Sequence, residues 1–230
     1  MKTLFLIPAR GGSKGVPGKN IKLLNNKPLI SYSIDFAKQF TTPEHICVST
    51  DDNTIIETIK KEGITAPFLR PDYLASDTAT SYDVILHAVN YYESINQFYD
   101  NIVLLQPTSP FRAMNHLKNA LTKYNSDIDA VVSVTETKSN PYYILFEENK
   151  QGYLEKSKKL EITRRQDAPK VYELNGSIYV LNIASLKRHK SIANFKKLVK
   201  IEMSHYYSVD IDTMEDWMYC EFIIEKGLLK

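Results

Sequence analysis

Cysteine is scarce in this chain. Cys47 and Cys220 are its two cysteines among 230 residues, far apart and without metal-ligand spacing. The first falls in an apolar run that predicts a strand, the second in a stretch that predicts a helix. Both read as core thiols, which suits a reducing cytoplasm. The five histidines are scattered and suggest no zinc site. No apolar run approaches the ~18 residues of a membrane span. The opening, Met1-Lys2 followed by Leu4 to Ala9, imitates a secretion signal only faintly, because its apolar part is short and Arg10 follows at once. Net charge is only +2, so nothing demands nucleic acid or an anionic membrane, and any positive field has to be local. Also missing is a nucleophile constellation: there is no Gly-x-Ser-x-Gly and no Cys/His pair. That favours direct transfer, in which a protein positions its substrates and neutralises charge without forming a covalent intermediate.

Glycine is sparse but concentrated. Four of the eight glycines (Gly11, Gly12, Gly15 and Gly18) lie in one loop with Pro8, Pro17, Arg10, Lys14 and Lys19. The loop follows an apolar run, Thr3 to Ile7, that predicts a buried strand. Glycines let backbone N–H groups approach a ligand, and the cations add fixed charge, so a polyphosphate is the ligand this loop suits. Its spacing matches neither Gly-x-x-x-x-Gly-Lys-[Ser/Thr] nor Gly-x-Gly-x-x-Gly.

Helical spacing predicts helices over Pro28 to Phe40, Asn53 to Glu62, Ser81 to Ser94, Met114 to Tyr124 and Met214 to Lys226. Apolar runs predict strands at His45 to Thr50, Asn101 to Gln106, Ala130 to Thr135, Ser177 to Leu181 and Tyr207 to Ile211. Asp51-Asp52, Asp77 and Asp212 read as helix caps. The β-α-β-α-β order predicts a mostly parallel sheet with helices on both faces. Ligands of such sheets bind beyond the strands' C-terminal ends, where the glycine loop, the Asp51 turn and the turn from Gln106 to Arg112 converge. Regularity fails between Thr137 and Lys170, a polar, charged stretch that reads as an insertion or an arm onto a second subunit. In an extended Asp210-Ile211-Asp212 both carboxylates share a face and suit a hard cation such as Mg²⁺, which takes one or two carboxylates together with substrate phosphates.

Taken in order, six blocks resemble the CMP-sialic acid synthetase (acylneuraminate cytidylyltransferase) family. They are Ile7 to Gly15 with Lys19-Asn20; Arg70-Pro71 with Leu74 to Thr78; Leu105 to Arg112; Arg164-Arg165-Gln166; Asn175 to Tyr179; and Asp210 to Thr213. The resemblance implies a Rossmann-like nucleotidyltransferase fold over residues 1–230, a dimerisation arm near 137–173 and a homodimer. It also implies attack of an α-keto acid sugar's anomeric hydroxyl on the α-phosphorus of CTP, with release of pyrophosphate. Arg10 and Lys19 then bind the triphosphate and offset transition-state charge. Ser13, Asn20 and Ser81 help hold the nucleotide, and Arg70 its ribose–base end. Thr80, Ser81, Gln106, Arg165 and Tyr179 line the sugar pocket, while Asp210 and Asp212 carry Mg²⁺ and Asp210 helps deprotonate the hydroxyl. Bland alternatives are that Arg70 pins a loop, Gln106 caps a turn and Tyr179 is a core aromatic. Some relatives carry a His-Pro pair where this chain has Asn140-Pro141, and some sialic acid enzymes a Phe-Phe pair in the region of its Ala193-Asn194-Phe195-Lys196. N-acetylneuraminate, legionaminate, pseudaminate and an octulosonate therefore stay open as acceptors, with a non-catalytic nucleotide-binding module as the rival class.

Overall fold

The computed structural model describes residues 1–161 and 164–229. Strand β1 (Thr3–Pro8) leads into the glycine loop, and a tight pair, β2 (Leu23–Leu24) and β3 (Lys27–Pro28), delivers the chain to α1 (Leu29–Lys38). Then come β4 (Ile46–Ser49), α2 (Asn53–Lys60), α3 (Ser81–Ser94), β5 (Asn101–Leu104), α4 (Met114–Lys123) and β6 (Ala130–Glu136). A hairpin, β7 (Phe146–Glu148) and β8 (Leu154–Lys156), precedes β9 (Tyr172–Asn182), α5 (Ile183–His189), β10 (Leu198–Glu202) and α6 (Met214–Glu225).

Six strands form one sheet in the order β10-β6-β9-β5-β1-β4. Its pairings are parallel except the two made by β9, which runs antiparallel between β5 and β6. The expected mostly parallel sheet is therefore present. Its strands bury both faces, which is why they read as continuous apolar runs. In β1, Phe5 and Ile7 face a layer with residues of α1, α2 and α4, while Leu4 and Leu6 face Ile85, Ala88 and Val89 of α3 and Leu186 of α5. A third apolar cluster seats α6, through Trp217, Cys220 and Ile223, against Val16, Leu29, Phe111 and Ile211. Both thiols are buried and free. No helix among the described residues is long and apolar enough to cross a membrane.

Three expectations need correction. Tyr207 to Ile211 is not a strand: a single 3₁₀ turn spans His205–Tyr207, and Ile211 donates its N–H to Thr108 O at 2.8 Å. The apolar residues there pack on the α6 cluster, and the sheet's edge is instead β10, which ends five residues earlier in the chain. The caps also move. Thr213 caps α6 and Thr80 caps α3, because each has an aspartate three positions on, Asp216 and Asp83, to complete a capping box. Asp212 and Asp77 are left for other work.

Candidate active site

All five parallel strands end on one edge of the sheet, and a cavity of about 410 Å³ opens there. Arg10, Ser13, Lys14, Lys19 and Asn20 reach it from the loop after β1. Asn20 is buried and donates Nδ2–H to Arg10 O at 2.8 Å, while Gly11 donates its N–H to Asp51 Oδ1 at 3.0 Å, so the loop is held from both sides. Gly15 has no room for a side chain: a Cβ there would sit 1.9 Å from Asp212 O. Loop and aspartate segment are thus in direct backbone contact. Lys19, also buried, spans the same gap. Its ammonium donates to Ile211 O and lies 3.5 Å from Asp212 Oδ1.

Arg70, Thr80, Ser81 and Gln106 line the cavity as well. Arg70 is 4 % exposed and spends its guanidinium on Ser49 Oγ at 3.0 Å, Ser49 O and Leu74 O. Burial lowers its pKa. It braces the cavity floor, joining the end of β4 to the 70–74 segment. The Thr80 hydroxyl is engaged with Asp83 as the cap of α3, so the positive end of that helix opens onto the cavity. Val84, Ile85 and Leu104 add an apolar wall.

A second cavity of about 470 Å³ adjoins the first, and Gln106, Asp210 and Asp212 line both. Tyr179 belongs to it while also packing in the core beside β6, and burial raises its pKa. The wall of β9 here is re-aimed by a bulge. The β6–β9 register slips between Val132 and Val134, and Ser133 Oγ fills the gap, accepting from Ile178 N–H and donating to Asn175 Oδ1. Beneath Gln106, the half-buried Arg112 donates to Gln106 O, Ser177 O and Ser33 Oγ, and burial of its guanidinium pushes its pKa down to about 9.

Asp210 is open to cavity water yet closely walled by protein. That desolvation raises its pKa, with Asp212 adding to it, against the lowering effect of Thr108, Lys19 and Ser109. Two crowded carboxylates facing the space between two cavities are a donor set that fits Mg²⁺ shared with phosphate oxygens. No cluster of three or more His, Cys, Asp or Glu ligands exists among the described residues, so these two aspartates are not part of a larger protein cage for a metal.

Arg165 does not join this group. It is exposed and lines a separate hollow of about 330 Å³ with Thr137, Asn140 and Pro169. Sequence reasoning also passed over two neighbours. Asp77 pairs with Arg10 at 2.9 Å and with Lys14. Thr108 holds the aspartate segment through its carbonyl. Only the Pro107-Thr108-Ser109-Pro110 punctuation at the end of β5 signalled Thr108.

A cationic glycine loop, a helix N-terminus and paired carboxylates at the C-terminal edge of a doubly covered sheet define an α/β nucleotidyltransferase site. Comparison narrows the class. The family description "Cytidylyltransferase" matches residues 4–227, and the chain belongs to that family. It is 35 % identical over 228 residues to a CMP-N,N'-diacetyllegionaminic acid synthase of Legionella pneumophila, covering 98 % of this chain and 97 % of that one. It is 35 % identical over 222 residues to an N-acylneuraminate cytidylyltransferase of Streptococcus agalactiae, covering 95 % of this chain and 52 % of that longer protein. A solved CMP:2-keto-3-deoxy-manno-octonic acid synthetase complexed with CTP superposes with a TM-score of 0.73 at 17 % identity, covering 99 % of this chain and 100 % of that one. At that identity the likeness speaks for the fold.

Proposed function

We propose that the protein transfers CMP from CTP to the anomeric hydroxyl of a nonulosonate, either N-acetylneuraminate or a relative such as legionaminate or pseudaminate, and releases pyrophosphate. The observation that carries this reading is that the cation-lined cavity and its neighbour meet at Gln106, Asp210 and Asp212. A nucleotide in the first then presents its α-phosphorus to a hydroxyl in the second. Arg10, Lys14 and Lys19 receive the triphosphate, with Ser13 and Asn20 shaping the loop around it. Val84, Ile85 and Leu104 face the base, over the floor that Arg70 braces, near Ser81. Gln106 and Tyr179 face the sugar.

In the transfer, the anomeric oxygen bonds to the α-phosphorus as the bond from that phosphorus to the bridging oxygen breaks. Pyrophosphate leaves with that electron pair, and the hydroxyl proton passes to Asp210. Asp210 and Asp212 would hold Mg²⁺ with phosphate oxygens, and when bound it supplies neutralisation of the leaving pyrophosphate. The names of the relatives support the acceptor class. We place the reaction in the cytoplasm, in keeping with two free buried thiols, and assign the working form as a homodimer. Its arm is the 137–173 segment, whose hairpin exposes Phe146, Tyr153 and Leu154.

The test is pyrophosphate release by the purified protein with CTP and Mg²⁺ across a panel of α-keto acid sugars, with an EDTA control. Release with one nonulosonate, abolished by EDTA, is the expected result. Release only with an octulosonate would reassign the acceptor. CTP binding without release from any sugar would make the protein a non-catalytic module.

A further inference from the structure

The cations of the glycine loop are not free. Asp77 Oδ1 lies 2.9 Å from Arg10 Nη1, and its other oxygen pairs with Lys14 Nζ. Arg10 Nη1 also lies 3.4 Å from Ala75 O. All three charged side chains line the nucleotide cavity. Asp77 sits on a strap between the 3₁₀ turn at Asp72–Leu74 and Thr80, the cap of α3. The strap is pinned at both ends, by Leu74 O on the Arg70 guanidinium and by the Thr80–Asp83 box. Between these pins the side chains of Ser76, Asp77 and Thr78 are exposed. Among the described residues, Ser76 Oγ bonds locally, to Tyr73 O of the turn at 3.0 Å and to Thr78 Oγ1 at 3.1 Å. Across the mouth of the cavity, the strap is therefore held to the loop chiefly by what Asp77 and Ala75 take from Arg10 and Lys14.

We infer that Asp77 is an internal counter-anion of the triphosphate site, which a nucleotide must displace from Arg10 and Lys14 in order to bind, and that it thereby tempers the site's affinity for phosphorylated nucleotides while leaving that for uncharged ones untouched. A carboxylate and a phosphate oxygen accept the same N–H donors in the same geometry, so the two compete for them. Asp77 brings one charge and is tethered. A triphosphate brings several and can replace every contact that it breaks. Cytidine, with no phosphate, has nothing to exchange and gains nothing from Asp77's removal. The residue acts on discrimination among nucleotides by charge, not on the chemical step. This inference rests on the nucleotide reading of the cavity.

The experiment is calorimetric titration of the wild-type protein, Asp77→Asn and Asp77→Ser with CTP and with cytidine, in Mg²⁺ at low and moderate salt, with circular dichroism melts to verify folding. Because Asp77 is exposed, the pairs released are weak ones, and CTP is expected to bind both variants about two- to fivefold more tightly than wild type. Cytidine affinity is expected to be unchanged, and the CTP gain to shrink as salt rises. CTP affinity that stays level or falls in both variants overturns the role of Asp77. Equal tightening of CTP and cytidine also overturns it, because that describes a loosened strap rather than a displaced charge. A wild-type protein that does not bind CTP at all overturns the nucleotide reading itself, a failure distinct from the other two.

Discussion

Lys19 combines burial, a carbonyl partner and a carboxylate neighbour in one side chain. Its ammonium links the glycine loop to Ile211 and Asp212, so it shapes the site, and in the proposed reaction it would also offer charge to the triphosphate. Removing it takes away a preorganised donor, a loss that typically costs about 10²–10³ in turnover. Lys19→Ala should therefore lower kcat at least about 100-fold while CTP still binds measurably by calorimetry. Normal turnover would remove its catalytic role. Gly15 tests the same junction sterically. With Asp212 O 1.9 Å from where a Cβ would stand, Gly15→Ala has to separate loop from aspartates. Catalytic efficiency should then fall about 100-fold, the order of loss that misplacing reacting groups by about 1 Å brings, with a melting temperature lowered by only a few degrees. An active variant would show that the loop moves freely relative to Asp212.

At the scale of elements, the start of β6 is tied to the start of β10 by one buried carboxylate. Asp129 accepts from Lys196 N and Lys197 N, each at 2.9 Å, and lies 3.6 Å from His189 Nε2 at the end of α5. Burial raises its pKa, but hydrogen bonds from Ser185 and the two backbone N–H groups, with His189 nearby, outweigh that and bring it to about 2. A folded pKa below the unfolded value of about 3.9 contributes stability above that value and loses it as pH falls towards 2. Asp129→Asn should thus cost on the order of 1 kcal/mol at pH 7 and flatten the drop in melting temperature between about pH 4 and 2. An unaltered acid limb would reject the assignment.

Elements buried on both faces are also those most legible in the sequence. The β1, β4, β5 and β6 runs announce themselves because no polar alternation interrupts them, and α3 is legible at both ends. Edge strand β10 escapes notice because Lys200 and Glu202 dilute a five-residue segment whose apolar content rivals any loop. The Tyr207 to Ile211 run misleads because its apolar side chains, Tyr207, Val209 and Ile211, pack against the α6 cluster and not in a ladder. Cap assignments fail where the nearest acid is preferred to a Thr-Asp box. Loop residues at strand ends, Arg10 to Asn20 and Gln106, can be placed together because a parallel sheet gathers its C-terminal ends, whereas the Asp210/Asp212 pair follows no strand and joins them only through its metal-ligating chemistry and the family resemblance. The Asp77 pairing and the Gly15–Asp212 contact cannot be so placed, since both arise from segments more than sixty residues apart meeting in space.

For the whole molecule, charge argues that one chain is not a complete acceptor site. The second cavity is walled by carboxylates of Glu173, Asp210 and Asp212, and none of its described lining residues is a lysine, arginine or histidine. An α-keto acid sugar brings a carboxylate of its own, which such a wall repels unless cations are added. Asp210 and Asp212, if they held Mg²⁺, would answer for the phosphates alone. The sugar's carboxylate still calls for a fork-shaped donor, and Arg165, the candidate for it, stands in a separate hollow of its own chain. The same arm exposes Ile144, Leu145, Phe146, Tyr153 and Leu154 around a hairpin of two three-residue strands, an apolar face that a lone chain in water has no reason to present. Both features are resolved if the arm lies on a second copy, covering its own apolar face and delivering Arg165 to the other copy's acceptor cavity. Sedimentation should then show a dimer, and Phe146→Glu with Leu154→Glu should give a folded monomer that binds CTP but turns over at least about tenfold more slowly at limiting sugar, through a raised KM for the sugar rather than for CTP. A monomeric double variant with wild-type KM for the sugar would leave Arg165 without a part in binding it.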